Sequence, residues 1–207
     1  MSELPAPPSD NQDAAWVTIE TPFDAKGLSG FLDDVERLFR INSLLVFENW
    51  QSLGNGEYQF KAKNLSNDKT VETGIKTARE GNTLTVTYRG GLKTTTTFRL
   101  DPKPDGTVDL IVTDNYSGTS KQEREARMDE VDKSLTQWGR DLRLYLLAWK
   151  KWSWFPGWKW YRRRVWQQMQ PMARRICFML LVVTALEFFA FLMVFTIFWL
   201  ELDKYFG

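Results

Sequence analysis

The longest apolar run in the chain is the feature that most constrains its fold. Residues Ile176 to Leu200 form 25 consecutive positions in which Glu187 is the one charged side chain. As an α-helix this run is about 37 Å long, which exceeds the roughly 30 Å hydrocarbon core of a bilayer. A core helix of a soluble protein is usually shorter and amphipathic. The run therefore predicts one transmembrane helix.

The segment before this run is rich in both aromatic and basic residues. Between Lys150 and Trp166 lie five tryptophans, a phenylalanine, a tyrosine and six basic residues, with no acidic residue among them. Such a mixture is typical of single-stranded nucleic-acid binding and also of the aromatic belt at a membrane surface. The apolar run that follows favours the second interpretation. We expect these side chains at the membrane interface: Trp152, Trp154, Trp158, Trp160, Arg162, Arg163, Arg164 and Trp166.

The same segment has the periodicity of an amphipathic helix. Its apolar residues share one face and its polar residues share the other: Trp158, Tyr161, Val165, Met169 and Met172 against Arg163, Arg164 and Gln167. This pattern predicts an interfacial helix that ends in a turn at Pro171. Arg162 falls near the apolar face, where its long stem can carry the charge back to the headgroups. Membrane lipid is the expected partner, attracted by about 1 kcal/mol for each cation near the surface.

The distribution of charge predicts the topology. Residues 150–175 contain eight basic residues and no acidic one, whereas residues 1–149 contain 18 basic and 23 acidic residues. Because the basic side of a span stays in the cytoplasm, we expect a cytoplasmic N-terminal domain. The first residues lack the pattern of a signal peptide, so we expect a tail-anchored, single-pass protein of a bacterial inner membrane. The acidic domain gives no electrostatic reason to bind nucleic acid.

The residue types present restrict the chemistry. The chain has no histidine, which excludes Ser-His-Asp and Cys-His catalysis and every histidine-based metal site. It has one cysteine, Cys177, so it forms no internal disulfide. No phosphate-binding glycine loop, dinucleotide fingerprint or CxxC pair occurs. We expect neither enzymatic activity nor a cofactor or metal ion.

The part before the apolar run alternates between strand and helix patterns. Strands are predicted at residues 15–21, 45–51, 57–65, 70–79, 83–89, 94–100 and 107–116, most of them separated by turn signals. A helix is predicted at residues 24–41, with an apolar face of Leu28, Phe31, Leu32, Val35, Leu38 and Phe39. A long helix is predicted from Ser120 until Pro156-Gly157, with a stripe of Met128, Val131, Leu135, Trp138, Leu142, Tyr145, Leu146 and Trp149. Gly139 interrupts that helix, and we interpret it as a close approach of helix and sheet.

The order of these elements, one strand, a helical segment, six strands and a long helix, resembles the helix-grip fold of the START-like (SRPBCC) superfamily. The resemblance covers Ala14 to Trp152. It implies an α+β fold in which a curved, seven-stranded antiparallel sheet grips the long C-terminal helix around an apolar cavity. It also implies a hydrophobic ligand such as a lipid or a polycyclic compound. This chain departs from the family pattern because its last helix continues into an interfacial helix and a membrane anchor.

The strand periodicity indicates which side chains would line such a cavity. The candidates on the inward parity and on the long helix are Tyr58, Phe60, Thr73, Tyr88, Thr96, Phe98, Asp114, Trp138 and Leu142. Asp114 is the charged member of an otherwise apolar strand face. It is either a polar anchor in a ligand pocket or a residue at the open end of its strand, and we favour the open end.

Two functions from different classes remain. The first is a membrane-anchored module that binds or carries a lipid or another hydrophobic ligand. The second is a single-span accessory subunit of a larger membrane complex, which would contact other transmembrane subunits through Thr184 and Glu187. The expected organisation is a lead at residues 1–13, a START-like domain at 14–152, a basic neck at 153–175, a transmembrane helix at 176–200 and a tail at 201–207.

Overall fold

The computed structural model describes residues 13–118, 121–126 and 133–206. By its internal contacts the chain divides into two compact units, Met1–Gln168 and Met169–Gly207. The first unit thus includes residues 153–168, which the sequence had assigned to a separate neck.

The first unit is built on one seven-stranded antiparallel sheet, as predicted. Its strands are β1 (Ala14–Glu20), β2 (Leu45–Gly54), β3 (Glu57–Asn64), β4 (Lys69–Glu80), β5 (Thr83–Tyr88), β6 (Thr95–Pro102) and β7 (Val108–Asn115). Strands β2 to β7 form a meander, and β1 pairs with β7 at one edge, which gives the order β1-β7-β6-β5-β4-β3-β2. Short turns between successive strands produce this antiparallel order.

The predicted helix over residues 24–41 is wrong as a single element, because two helices occupy this region. They are α1 (Ala25–Leu32) and α2 (Val35–Ile41). The break comes at Asp34, whose side chain accepts a hydrogen bond from the backbone N–H of Arg37 and so caps α2. The apolar stripe continues across the break, and all six of its predicted members are buried.

The core lies between one face of the sheet and helices α1, α2 and α4. The inward parity predicted for the strands is confirmed, since Phe60, Ile75, Val86, Phe98 and Leu110 are each at most 4% exposed. The pairing of β6 with β7 places Phe98 opposite Val112 and Thr96 opposite Asp114. These inward-facing side chains pack against the helices, which buries the apolar face of the sheet and the apolar faces of the helices.

The long helix begins later than predicted. The described helices here are α3 (Lys121–Ala126) and α4 (Leu135–Lys151), and the predicted stripe residues Met128 and Val131 lie outside the described residues. The backbone N–H of Lys133 donates to the Ser66 hydroxyl at 3.2 Å rather than continuing a helical ladder. The neighbouring Ser134 hydroxyl accepts from the side-chain amide of Asn42 at 2.9 Å. These bonds to distant parts of the chain explain why α4 starts after Ser134.

The close approach interpreted from Gly139 is confirmed. This glycine lies on α4 where the helix crosses β1, and it is buried. A Cβ atom added to it would lie 2.8 and 2.9 Å from the two methyl carbons of Val17. Carbon atoms in contact are normally about 3.5–4.0 Å apart, so only a glycine fits this position without a shift of the neighbour.

The segment after α4 differs from the predicted interfacial helix. Helix α4 ends at Lys151, before the expected stop at Pro156-Gly157. Gly157 adopts a φ of +83°, and a short helix α5 (Trp158–Tyr161) and a π-helical turn, Arg162–Trp166, follow it. We call Arg162–Trp166 the π turn. Gln167, expected on the polar face, is 6% exposed, so one continuous amphipathic helix does not form here.

The second unit contains helix α6 (Pro171–Phe206). Its first residue suits a helix start, because proline lacks the N–H that would be left unpaired there. Among the described helices one, Pro171–Leu202, is long and apolar enough to cross a membrane, and no residue in its most apolar stretch is buried. It contains the predicted run Ile176 to Leu200 and is a candidate membrane anchor.

Candidate ligand-binding cavity

A cavity of about 390 Å³ lies between the sheet, α2 and α4. We call it the main cavity. Aromatic, aliphatic and polar side chains line it together with two loop glycines: Phe39, Leu45, Phe60, Asn64, Asn67, Lys69, Thr70, Val71, Thr73, Tyr88, Gly90, Gly91, Leu92, Lys93, Tyr116 and Trp138. Its volume falls within the range of about 300–1,000 Å³ that is usual for small-molecule sites.

Some of the sequence-predicted cavity residues line this space and others do not. Phe60, Thr73, Tyr88 and Trp138 line it. The other candidates lie elsewhere in the unit: Tyr58 packs against Trp50, and Thr96, Phe98, Asp114 and Leu142 are fully buried. The prediction of which strand residues face inward was right. The alternation along a strand does not distinguish, however, between inward side chains that border the cavity and those that fill the core beside it.

The apolar wall of the cavity is a set of mutually packed rings. Phe39 lies 5.3 Å from Trp138 and 5.8 Å from Phe60 between ring centroids, in tilted arrangements that aromatic pairs prefer. The indole N–H of Trp138 donates to the carbonyl of Leu38 at 2.8 Å. Because that donor is satisfied by the backbone, the indole presents an apolar face to the cavity.

A connected set of four side chains supports the polar side of the cavity, and two of them, Tyr88 and Lys93, line it. The Lys93 ammonium pairs with Asp114 at 2.7 Å, and the Thr96 hydroxyl donates to the other oxygen of this carboxylate at 2.5 Å. The Tyr88 hydroxyl lies 3.0 Å from the Thr96 hydroxyl. A hydroxyl has one proton, and that of Thr96 is directed to Asp114, so Tyr88 is the donor in this pair. The network therefore fixes the orientation of two cavity-lining groups, Tyr88 and Lys93.

The favoured interpretation of Asp114, a water-accessible strand end, is wrong. Its side chain is 0% exposed. It is buried because Lys93, from the loop between β5 and β6, folds over it and provides the opposite charge that a buried carboxylate requires. Asp114 does not itself line the cavity. It orients the lining residue Lys93 directly and the lining residue Tyr88 through Thr96.

Several lining residues were missed by the sequence reasoning. Gly90 to Lys93 form a loop in which both glycines have positive φ values, +119° and +92°. The Gly-Gly pair indicated a turn, but nothing in the alternation of the strands showed that this turn covers a cavity. Asn64, the last residue of β3, and Asn67, in the turn after it, were missed as well, because the sequence indicated there only a strand end and a turn.

The residues expected at the membrane interface occupy two environments. Trp152, Trp154 and Trp160 are exposed, Trp154 by 74%, and so are Arg163 and Arg164. Trp158 and Trp166 are half-buried. The expectation of a membrane-facing Arg162 disagrees with its position, because this side chain is 7% exposed and lies within the protein.

Arg162 is buried by aromatic rings. Its guanidinium carbon lies 4.1 Å from the ring centroid of Tyr145 and 4.0 Å from that of Trp166, a cation–π stack that joins the π turn to α4. Burial lowers the pKa of Arg162 below the usual arginine value and raises the pKa of the Tyr145 hydroxyl. The π turn is therefore part of the packed structure of the first unit.

The two residues expected to contact a partner helix lie on α6. Thr184 and Glu187 are both exposed, within an otherwise apolar stretch of this helix. Their contact with other transmembrane subunits stays a prediction.

Comparisons with known proteins add the following findings. No protein-family model matches this chain, and no curated protein matches its sequence. Similar solved structures include a START superfamily protein from Mycobacterium smegmatis, with 10% identity, 66% of this chain and 98% of that chain covered, and a TM-score of 0.49. An AHSA1-like protein from Aeromonas hydrophila has 10% identity and a TM-score of 0.40, with 64% of this chain and 93% of that chain covered. A protein from Deinococcus radiodurans has 14% identity and a TM-score of 0.44, with 65% of this chain and 100% of that chain covered. As the order of elements predicted, the solved structures to which this chain is similar include START superfamily and AHSA1-like proteins.

Proposed function

We propose that this chain is a membrane-anchored module that binds a hydrophobic ligand with a polar end in the main cavity. The observation that carries the proposal is the cavity itself, about 390 Å³ bordered by aromatic rings on one side and by Lys93 and Tyr88 on the other. A domain that served only as a docking module would be expected to have a filled core, since protein interiors are normally close-packed.

The two walls suggest the chemistry of the ligand. The rings of Phe39, Phe60 and Trp138 favour an apolar body, because burying apolar surface contributes about 25 cal/mol per Å². Lys93 can donate to an oxygen of the ligand, and the Tyr88 oxygen can accept from a hydroxyl because its own proton is directed to Thr96. A lipid or another apolar molecule that ends in a hydroxyl or carboxyl group fits both walls.

The membrane location rests on α6 and on the exposed aromatic and basic residues that precede it. The span Pro171–Leu202 would anchor the chain, and Trp154 and Trp160 would enter the headgroup layer. Since basic residues precede the span, a reporter fused to the N-terminus should be cytoplasmic and one fused to the C-terminus should be on the other side. Protease protection in membrane vesicles measures this, and the reversed result would refute the topology.

The ligand is tested by native mass spectrometry of the full chain, solubilised in detergent from its native membranes. The parent should carry a bound apolar molecule with a defined mass. In the variant Val71→Trp a large ring replaces a small side chain that lines the cavity, so the bound mass should be lost. The control is Thr87→Trp, which adds the same ring at an exposed position on β5.

Retention of the ligand by Thr87→Trp and its loss from Val71→Trp would support the proposal. A parent that carries no apolar molecule, or one that both variants keep equally, would refute binding in the main cavity.

A further inference from the structure

A second cavity, of about 250 Å³, lies apart from the main cavity between α1, α2, the end of α4 and the π turn. We call it the arginine pocket, and its lining includes Phe23, Phe31, Arg37, Leu146, Trp149 and Arg163. It shares no lining residue with the main cavity.

Arg37 is the most deeply placed charge of this pocket. The residue is 1% exposed, and its guanidinium lies 4.3 Å above the Phe31 ring and 5.6 Å from the Trp149 ring. One terminal nitrogen donates to the Phe31 carbonyl at 2.9 Å. The Nε atom is buried without a hydrogen bond among the described residues, and the nearest carboxylate oxygen, of Asp34, is 3.5 Å from it. A buried guanidinium with an unmet donor is costly in the absence of a further acceptor.

Positive charge is in excess around the pocket. Arg163 lies at its exposed side, with its guanidinium 5.6 Å from the Trp149 ring, and the neighbouring Arg162 stacks on Tyr145. Within the described ranges no carboxylate lies at ion-pair distance from Arg162 or Arg163. Two guanidiniums, those of Arg37 and Arg163, thus line the pocket, and the one carboxylate at ion-pair distance from either of them among the described residues is that of Asp34. Burial also lowers the pKa of Arg37, and Asp34 and Tyr145 oppose this shift.

The geometry points to a binding site for a phosphate group with two negative charges, held between Arg37 and Arg163. A phosphate monoester or inorganic phosphate carries about −1.5 to −2 at neutral pH, which suits a pocket lined by the two guanidiniums of Arg37 and Arg163. The planar forks of arginine bind phosphate oxygens in pairs, and both guanidinium carbons lie 5.6 Å from the Trp149 ring centroid, so the two arginines share one neighbourhood of the pocket. Two sources supply this chemistry: a lipid headgroup that ends in phosphate, and a soluble phosphate compound. The inference is independent of the ligand proposed for the main cavity.

Binding is tested on the full chain in nanodiscs of phosphatidylcholine. Inorganic phosphate is titrated at constant ionic strength, with chloride as the reference anion, and thermal unfolding is followed by tryptophan fluorescence. A second arm compares nanodiscs containing phosphatidic acid, a phosphate monoester, with nanodiscs containing phosphatidylglycerol, an anionic phosphodiester. A ligand that binds the folded protein raises the unfolding temperature in either arm.

The test variant is Arg163→Gln, and the matched control is Arg164→Gln. Both positions are exposed and adjacent, and both changes remove one charge, but only Arg163 lines the pocket. Because a hydrogen bond to a charged group contributes about 1.5–3 kcal/mol, Arg163→Gln should raise the Kd for phosphate by at least about tenfold. Arg164→Gln should leave it within about twofold, the effect of a distant and screened surface charge.

Each outcome decides the inference. Stabilisation by inorganic phosphate that Arg163→Gln alone abolishes would assign the site to a soluble phosphate compound. Stabilisation by phosphatidic acid beyond that by phosphatidylglycerol, lost in Arg163→Gln alone, would assign it to a lipid headgroup. No stabilisation in either arm would overturn the inference, and so would equal losses in the two variants, because these indicate a general basic surface.

Discussion

The contact between Gly139 and Val17 gives a quantitative test of how α4 crosses the sheet. In the variant Gly139→Ala the new methyl carbon would lie 2.8 and 2.9 Å from the two methyl carbons of Val17 and 3.4 Å from its Cβ. A valine side chain is branched at Cβ and stiff about χ1, so it cannot move its end away as a long flexible side chain does. Either β1 or α4 must shift.

The magnitude is the difference between two opposing terms. Overpacking by one methyl group costs typically 1–3 kcal/mol, whereas replacing glycine by alanine inside a helix stabilises it by about 1 kcal/mol. We therefore expect Gly139→Ala to lower the free energy of unfolding by about 1 kcal/mol. For a unit of this size that corresponds to a fall in the unfolding temperature of roughly 2–4 °C.

Gly30→Ala is the matched control. Gly30 is also helical, in α1, but a Cβ added to it would meet no atom within 4 Å. Only the helix-propensity term acts there, so Gly30→Ala should stabilise the protein by up to about 1 kcal/mol. The opposite signs of the two changes separate the steric term from the propensity term.

The assay is thermal unfolding of the full chain in detergent, followed by tryptophan fluorescence, for the single variants and for Val17→Ala combined with Gly139→Ala. Removing the methyl groups of Val17 makes room for the new side chain, so the double variant should be less destabilised than the sum of the two single changes by about 1 kcal/mol. If Gly139→Ala stabilised the protein as Gly30→Ala does, the described contact between α4 and β1 would be refuted.

Three further changes test other parts of the molecule. Lys93→Met should lower the free energy of unfolding in urea by about 3–5 kcal/mol, because it leaves Asp114 buried without its cation. Adding Asp114→Asn to this variant should recover most of the loss, and full stability of Lys93→Met alone would contradict the ion pair. Truncation after Gln168 should give a fragment about 3 kcal/mol more stable than truncation after Lys151, because the shorter fragment loses the Trp166 ring that packs on α4. Equal unfolding temperatures of the two fragments would argue against that packing. Glu187→Leu should insert normally but co-purify fewer transmembrane partners from native membranes, whereas equal recovery would make Glu187 a tolerated lone carboxyl.

The sheet could be predicted from the sequence because its signals are local. Alternation with a period of two placed Phe60, Val86 and Phe98 on the inner face, and turn residues separated the strands to within a few positions. The break between α1 and α2 was missed because the apolar stripe runs through it, and the deciding interaction is the capping bond from Arg37 to Asp34. The start of α4 was missed because it depends on bonds from Lys133 and Ser134 to distant residues.

The main cavity could be predicted only in part for a similar reason. Inward parity identified Thr73 and Tyr88, but the residues that close the polar side, among them Lys93, come from a loop. Asp114 was interpreted as water-accessible because its charge is unusual on a buried strand face. Its burial depends on a lysine 21 positions earlier in the sequence that the fold brings to 2.7 Å, and no pattern within β7 indicates this partner.

For the tryptophan- and arginine-rich segment, composition alone does not show which side chains face lipid and which pack within the protein. Aromatic rings and guanidiniums in one stretch are equally suited to a membrane interface, where each side chain faces lipid, and to cation–π stacks within a protein. The structure shows exposed aromatic side chains and a buried cation–π stack within this one segment. Trp154 and Trp160 are exposed, whereas the buried Arg162 lies against the rings of both Tyr145 and Trp166. Which side chain takes which role depends on α4, since Tyr145 and Trp149 provide the rings against which the π turn packs. We expect a membrane-facing tryptophan to tolerate replacement by another interfacial aromatic, and we expect Arg162→Lys to destabilise the first unit, because the planar guanidinium stacks against two rings and an ammonium does not.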